Sequence, residues 1–247
     1  MTRRRWIADE WNETSAVLRN AQAAHLARVL RAQAGQEFDI VAGYEVRRGV
    51  IENIREDAVE FSLHETLEAA ESLPLVLGMS IIRFERMEWA IEKLTELGVA
   101  RIVPLIAQRT EKHLAQAAQK RTERWRKIAR ESAQQSRRSD IPEIADPSSV
   151  ANYVSEGPDA LRLLLSEHEH AHSLRDCLED TDGPAISSAL SPKKIFAAIG
   201  PEGGWTETEV ASFTKRGWQS ISLGPRILRA ETAAIAVASV MSSWLSR

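Results

Sequence analysis

Residues 194–236 read KIFAAIGPEGGWTETEVASFTKRGWQSISLGPRILRAETAAIA, and this stretch decides the fold. It contains one arrangement twice: a short apolar run that ends in a Gly-Pro loop and leads into a helix. The first run, Ile195 to Ile199, has no polar interruption, as expected of a strand buried on both faces. Glycines in the next five residues, Gly200 to Gly204, allow the backbone to approach another group closely. The sequence therefore predicts a strand, a glycine-rich loop and a helix in succession.

Capping signals mark the start of that helix. Thr206 and Glu209 have the spacing of a capping box, and Trp205 and Val210 stand at the positions of a hydrophobic staple. The first copy therefore places a helix N-terminus just after the glycine loop.

The second copy runs from Ile221 to Leu223 into Gly224-Pro225-Arg226, before an alanine-rich helix. Ligands in open α/β sheets bind at the carboxyl ends of parallel strands, so two such loops on neighbouring strands are predicted to line one pocket. Two tight turns without a ligand remain an alternative. The sequence lacks both G-x-x-x-x-G-K-[ST] and G-x-G-x-x-G with an acidic residue about 20 positions later, which argues against the common phosphate-binding loops.

The chain before residue 73 has a different pattern. Helical spacing predicts a helix over Ala21 to Arg31, and alternating apolar runs follow at Glu37 to Val41, Val46 to Ile54 and Ala58 to Leu63. A small β-rich module is predicted, with a boundary within Leu67 to Pro74.

After the boundary, strands and helices alternate, which is typical of a mostly parallel sheet. A helix is predicted over Arg83 to Leu97, with Gly98 at its C-cap, and a strand over Arg101 to Ile106. The last helix, Thr232 to Leu245, is apolar almost all round and must be buried on more than one side. With no further chain to cover it, a homodimer interface is expected.

Composition indicates an ordinary water-soluble protein. The 247 residues are 43% hydrophobic, and no apolar run approaches the roughly 18 residues that span a bilayer. No signal-peptide segment follows the Arg-rich start, so a cytoplasmic protein without membrane attachment is expected. The single cysteine, Cys177, excludes an internal disulfide; it remains an alternative nucleophile, although no histidine pattern of a known cysteine enzyme accompanies it.

The net charge of −3 argues against uniform affinity for nucleic acid, so any RNA binding must come from local patches. Residues 120–138 contain eight basic and two acidic residues, and their helical pattern leaves the arginines on the outer face. This predicts an RNA-binding surface, with a solvated helix face as the alternative. The candidates in this span and at the start of the chain are Arg137, Arg138, Arg3, Arg4 and Arg5.

Several segments, in order, resemble one family. They are RRRWIADE near the start, HLARVLRAQAGQEFDI (25–40), RMEWAIEKLTELGVARIVPLIAQRT (86–110), RWRKIARESAQQSRRSDIPEI (124–144), IGPEGGWTETEV (199–210) and ISLGPRILRAETAAIA (221–236). Nearly the whole chain thus resembles the 16S ribosomal RNA uracil-N3 methyltransferases of the knotted SPOUT superfamily. The GPEGG segment together with LGPRILRAETA is specific to this family.

The resemblance implies a SPOUT-type α/β methyltransferase domain with a carboxyl-terminal trefoil knot over residues 73–247, which binds S-adenosylmethionine (SAM), catalyses and dimerises. It implies a PUA-like RNA-binding β-barrel over residues 1–72. The implied activity is SAM-dependent methylation of N3 of a uridine in 16S rRNA of the small ribosomal subunit. The implied partners are that RNA and a second copy of the chain, not DNA.

The resemblance also implies the site residues. Backbone groups of the two Gly-Pro loops and nearby side chains hold SAM: Glu167, Ile199, Gly200, Pro201, Glu202, Gly203, Gly204, Leu223, Gly224, Ile227, Leu228, Ala230, Thr232 and Ala233. Arg229 is expected to stabilise negative charge on the uracil oxygens, and Glu231 or Glu202 to orient the base or accept its proton. A structural Arg229–Glu231 ion pair at the helix start is the alternative.

Further RNA contacts follow from the resemblance. His25, Arg28 and Arg31 are expected on the RNA face of the first domain, although His25 also fits a structural group at a helix end. Arg83 stands with Phe84 where the family usually has Lys-Gly. This departure retains the positive charge but loses a glycine.

Two other classes of function remain open. A pure RNA-binding module explains the basic patches but not the paired glycine loops. A zinc hydrolase is suggested by residues 168–172, HEHAH, because H-E-x-x-H on a helix places two histidines on one face. The motif directly follows the apolar run Leu161 to Leu165, which favours a solvent-facing turn, and no metal site is expected.

Overall fold

The computed structural model describes residues 5–43, 45–181 and 194–245. Contacts divide the chain into two compact units, Met1–Glu71 with Glu131–Ile141, and Ser72–Arg130 with Pro142–Arg247. Residues 131–141 belong to the second domain in the sequence-based division, whereas their contacts place them in the first unit.

A curved sheet builds the first unit. Its elements are β1 (Arg5–Ile7), β2 (Glu10–Trp11), β3 (Ser15–Arg19), α1 (Asn20–Ala24), a π-helix (His25–Val29), β4 (Glu37–Ala42), β5 (Glu45–Ile54) and β6 (Ala58–Leu67). The strand order is β1-β4-β5-β6-β3-β2, and β1 pairs with β4 in parallel. Ala8 N–H donates to Val41 O in β4, and Asp9 N–H donates to Val17 O in β3, each at 2.9 Å. Because β4 and β3 lie next to opposite edge strands, these two consecutive residues bond near both edges of the sheet. The sheet therefore curls until its edges meet.

The helix predicted over residues 21–31 is wrong in type. After α1 the backbone widens into the π-helix, in which Leu30 N–H donates to His25 O at 3.0 Å, five residues back. Leu26 is fully buried, while Val29 and Leu30 are exposed. Apolar spacing does not distinguish a short π segment from an α-helix, because both bury one face.

Strands and helices alternate in the second unit. Its elements are β7 (Leu73–Ser80), α2 (Phe84–Glu96), β8 (Val99–Ile106), α3 (Lys112–Gln135, whose last turn lies in the first unit), β9 (Glu143–Ile144), β10 (Ser148–Ser149), α4 (Val150–Tyr153), β11 (Leu161–Leu165), α5 (Leu174–Thr181), β12 (Ile195–Ile199), α6 (Glu207–Lys215), β13 (Gln219–Ile221) and α7 (Ala230–Leu245). The order is β10-β8-β7-β12-β11-β13, with β9 beside β8. All these pairings are parallel, which confirms the predicted α/β class.

One detail of the predicted sheet is wrong. The two Gly-Pro loops follow β12 and β13, but β11 lies between these strands and pairs with both. The second strand also ends at Ile221, and Ser222 forms only an isolated bridge with Ser173. The loops therefore lie on either side of a third strand end.

The helices that flank the site match their sequence pattern. Met87, Ala90, Ile91 and Leu94 of α2 are buried, and Gly98 has a φ of +90°. α7 packs against α2 and β7, which covers one side of this apolar helix. Its other side leaves Val240 41% exposed and Leu245 39% exposed. In the described part of the chain, no helix is both long and apolar enough to cross a bilayer.

Candidate functional site

A cavity of about 590 Å³ lies at the carboxyl ends of β11, β12 and β13. Three loops build its wall, one after each of these strands, together with the start of α7. Of the residues that the sequence nominates, the following line it: Glu167, Ile199, Gly200, Pro201, Glu202, Gly204, Leu223, Gly224, Ile227, Leu228, Arg229, Ala230 and Ala233. The loop from Ser166 to His170 also lines the cavity, and the strand order brings it between the two Gly-Pro loops.

Three nominated residues do not line the cavity. Gly203 lies against Arg109, whose Nη1 donates to the Gly203 carbonyl oxygen at 2.6 Å, and a Cβ built on Gly203 would lie 3.3 Å from Arg109 Cδ. Thr232 is exposed beyond the cavity wall, and Glu231 is buried behind it. Gly203 and Thr232 therefore lie outside the cavity lining, because spacing along a loop does not reveal which residues turn away from it.

Trp205 links two of the loops. Its indole Nε1 donates to the carbonyl oxygen of Leu165 at 3.1 Å, and its ring packs edge-on against Phe213 with the centroids 5.1 Å apart. A Cβ on Gly200 would lie 3.2 Å from the indole. Glycine at position 200 therefore makes room for this ring beside the strand end.

The capping box at the start of α6 is present as predicted. Thr206 Oγ1 accepts from Glu209 N–H, and a carboxylate oxygen of Glu209 accepts from Thr206 N–H at 2.9 Å. The other carboxylate oxygen accepts from Gln108 N–H at 2.8 Å. Glu209 is buried, but both of its carboxylate oxygens accept hydrogen bonds, and it links the start of α6 to the segment after β8.

An arginine that the sequence analysis did not single out lies between two nominated carboxylates. Arg86 on α2 places Nη1 3.5 Å from Glu202 Oε1 and Nε 3.7 Å from Glu231 Oε1. The alternative Arg229–Glu231 pair does not form. Arg229 is exposed at the cavity wall and makes no ion pair with any residue in ranges 5–43, 45–181 and 194–245.

The HEHAH segment is not a helix. Residues 166–172 form an irregular turn, in which Glu169 Oε1 accepts from the N–H groups of Ala171 at 2.8 Å and His172 at 3.2 Å. These bonds lower the pKa of the Glu169 carboxyl from its ordinary value of 4.5. Since the H-E-x-x-H geometry requires a helix, the zinc-hydrolase alternative is wrong. In the described ranges, no three His, Cys, Asp or Glu side chains group as a metal site.

The nominated RNA-binding residues divide by their exposure. Arg28, Arg31, Arg83 and Arg137 are exposed, and Arg28 pairs with Glu56 at 3.0 Å. Arg31 and Arg137 have positive φ angles of +50° and +59°, so both stand at sharp changes of chain direction. His25 is half-buried, with its ring 5.7 Å from that of Trp6. Arg3 and Arg4 lie outside the described residues.

Arg138 does not occupy the predicted outer face. Its side chain is only 7% exposed and meets Asp140 through two contacts, Nη2–Oδ2 at 2.6 Å and Nε–Oδ1 at 3.2 Å. α3 ends at Gln135, so the helical spacing does not extend to residue 138. Arg5 reaches the same turn, where its Nη1 donates to the carbonyl oxygen of Arg137.

Comparisons with known proteins agree with this architecture. Residues 69–242 match the family model of the RNA methyltransferase domain. The chain is 34% identical to the ribosomal RNA small subunit methyltransferase E of Synechocystis over 230 residues, which cover 90% of this chain and 70% of the relative. The chain belongs to this methyltransferase family.

Two further relatives support the assignment. The ribosomal RNA small subunit methyltransferase E of Bacillus subtilis is 30% identical over 223 residues, 88% of this chain and 86% of that protein. A Legionella pneumophila protein, Lpg2936, was solved as a methyltransferase in complex with SAM. It superposes with a TM-score of 0.81 at 29% identity, over 98% of each chain.

Proposed function

We propose that this methyltransferase transfers a methyl group from SAM to N3 of a uridine in the 16S rRNA of the small ribosomal subunit. The observation that carries the proposal is the cavity itself. It lies at the carboxyl ends of parallel strands, is walled by both Gly-Pro loops, and has an exposed arginine without an ion-pair partner among the described residues at its wall. The SAM complex of the Legionella relative and the names of the family members support the cofactor and the substrate class.

The residues of the cavity fit SAM. The cavity volume of about 590 Å³ falls within the roughly 300–1,000 Å³ that is typical of small-molecule sites. Gly204, at a φ of +70°, brings its backbone within reach of the cavity, and a Cβ there would lie 3.1 Å from Glu167 Oε1. Backbone groups of the two Gly-Pro loops would hold the adenine and the methionine moiety of SAM. The Glu167 carboxylate would accept hydrogen bonds from the ribose hydroxyl groups. When bound, SAM supplies an already activated methyl group.

The chain must then orient the uracil and help N3 to lose its proton. The exposed guanidinium of Arg229 is our assignment for stabilising the charge that develops on the uracil oxygens, because preorganised donors at such charge lower the barrier. Glu202 at the cavity wall, or Glu231 behind it, orients the base or accepts the proton. Because Arg229 makes no ion pair with Glu231, its guanidinium is available for this role.

We also propose the finer architecture that the family implies. The curled sheet of the first unit would be the PUA-like RNA-binding domain, with His25, Arg28 and Arg31 on its RNA face. The second unit would carry the trefoil knot and bind RNA through Arg83. A second copy of the chain would cover the exposed side chains Trp89, Val240 and Leu245 on α2 and α7. The dimer would work in the cytoplasm.

The test uses purified protein, SAM with a labelled methyl group, and small ribosomal subunits that lack the modification. We expect one 3-methyluridine per subunit, identified by mass spectrometry of the nucleosides. Large subunits serve as the control and should stay unlabelled. Transfer to another atom, or no transfer although calorimetry shows SAM binding, would contradict the proposal; the second result would favour an RNA-binding module.

A further inference from the structure

Arg86 stands where the two Gly-Pro segments approach each other. It lies in the first turn of α2, after β7. Glu202 comes from the loop after β12, and Glu231 from the first turn of α7. One guanidinium therefore contacts a carboxylate from each segment, through Nη1 at 3.5 Å and Nε at 3.7 Å.

Of the two carboxylates beside Arg86, that of Glu231 is only partly compensated. The Glu231 side chain is only 7% exposed, and its Oε2 is buried without a hydrogen-bond partner in the described structure. A buried carboxylate is costly unless a cation or hydrogen bonds compensate it. Both separations exceed the roughly 2.7–2.9 Å of a direct charge-assisted hydrogen bond, so Arg86 is shared between the two carboxylates.

We propose that Arg86 is a positioning residue for methyl transfer, acting through Glu202 and Glu231; this rests on the proposed function. The guanidinium fork is planar and holds two acceptors at a fixed angle, which an ammonium group does not do. Without it, two carboxylates of like charge face each other with no cation between them, and Glu202 moves away from the site. Arg86 thus holds in register the two segments that wall the cavity.

The test compares Arg86→Gln, Arg86→Lys and Glu202→Gln with the intact protein. Lys93→Gln is the matched control, because Lys93 lies on the same helix and pairs with two carboxylates, Glu92 at 2.7 Å and Glu96 at 2.8 Å, outside the cavity. Under single turnover with saturating SAM and RNA, Arg86→Gln should lower the methylation rate roughly 10-fold or more, as misplacement of a reacting group does. Arg86→Lys should recover part of the rate, and Lys93→Gln should retain it.

Two further readouts identify how Arg86 acts. In the Glu202→Gln background, Arg86→Gln should lower the methylation rate much less than it does in the intact protein, because the effects of substitutions at residues that act as a unit are not additive. Amide hydrogen exchange of residues 200–204 should accelerate in Arg86→Gln, and this measurement needs no activity. RNA affinity and its salt dependence should stay unchanged.

Other outcomes overturn the inference. Additive losses in the double variant would place Arg86 in a separate role, and weaker RNA binding with a smaller salt slope would make it a phosphate contact. A lower melting temperature with a normal rate in the folded fraction would make it structural only. If the intact protein transfers no methyl group, the proposed function fails, while the exchange measurement still tests the link between Arg86 and the glycine loop.

Discussion

The indole Nε1 of Trp205 donates a hydrogen bond to the carbonyl oxygen of Leu165, across 3.1 Å. Leu165 ends β11, and Trp205 follows the glycine loop of β12, so this bond joins the ends of two adjacent strands at the cavity. The neighbouring glycine, Gly200, leaves room for the ring. The loop that holds the cofactor in our proposal is therefore itself held by a side chain that sequence analysis assigned only to a hydrophobic staple.

Trp205→Phe tests this link. The substitution retains an aromatic ring against Phe213 but removes the N–H donor, so we expect a loss of about 1 kcal/mol in unfolding free energy and several-fold weaker SAM binding. Calorimetry and denaturant unfolding measure both. Trp218→Phe is the matched control, because its Nε1 donates to Val154 O at 3.0 Å and it does not line the cavity. Equal SAM affinity in the two variants would contradict the link.

A second prediction separates two glycines of one loop. In Gly200→Ala the new methyl would lie 3.2 Å from the Trp205 indole, so the ring must shift and SAM affinity should fall. In Gly203→Ala the methyl would meet the flexible side chain of Arg109 at 3.3 Å, and SAM affinity should change little. Calorimetry on both variants compares their SAM affinities. A larger loss of affinity in Gly203→Ala than in Gly200→Ala would show that Gly203 contacts the cofactor.

Local pattern predicted the elements of the site but not their neighbours in space. The buried strand Ile195–Ile199 and the capping box of Thr206 and Glu209 depend on residues close in sequence, and both were predicted correctly. The position of β11 between β12 and β13 depends on pairing between distant segments, which periodicity does not encode. Arg86 was missed for the same reason, since its two carboxylates come from segments more than 100 residues away.

Arg138 illustrates a second limit. The charge and helical spacing of residues 120–138 predicted an outer-face cation, whereas the helix ends at Gln135 and Arg138 is buried with Asp140. Arg138→Gln should therefore lower the unfolding free energy by about 2 kcal/mol, since it removes charge-assisted hydrogen bonds. Thermal unfolding measures this, with exposed Arg137→Gln as the control. If Arg138→Gln left stability unchanged, the buried ion pair would not contribute as inferred.

The His-rich turn should respond to acid. Hydrogen bonds from the N–H groups of Ala171 and His172 lower the pKa of Glu169, so the charged carboxylate is the form that holds the turn. Its contribution is present above the ordinary value of 4.5 and is lost as pH falls through the lowered folded value. In an NMR titration, the amide resonances of Ala171 and His172 should shift together as the pH falls through the lowered pKa of Glu169. Persistence of the shifts in Glu169→Gln would assign them to another group.

The last prediction concerns the catalytic role of Arg229. Its guanidinium lies at the cavity wall without an ion-pair partner among the described residues, and Glu231 pairs with Arg86 instead. If Arg229 stabilises charge that appears only as N3 is deprotonated and attacked, Arg229→Ala should lower the single-turnover rate roughly 10²-fold or more, equivalent to about 3 kcal/mol. SAM and RNA affinities should change little, because such an interaction is made mainly in the transition state.

The matched control for this prediction is Arg216→Ala, which removes an exposed arginine outside the cavity and should leave the rate unchanged. Melting temperatures accompany both variants, because a structural Arg229 would lower stability rather than the rate. The structure gives no stabilising ion pair to Arg229, so the melting temperature should stay close to that of the intact protein. A normal rate in folded Arg229→Ala would end the catalytic assignment and leave the uracil oxygens to another donor at the cavity wall, with exposed Arg226 the next cation to test.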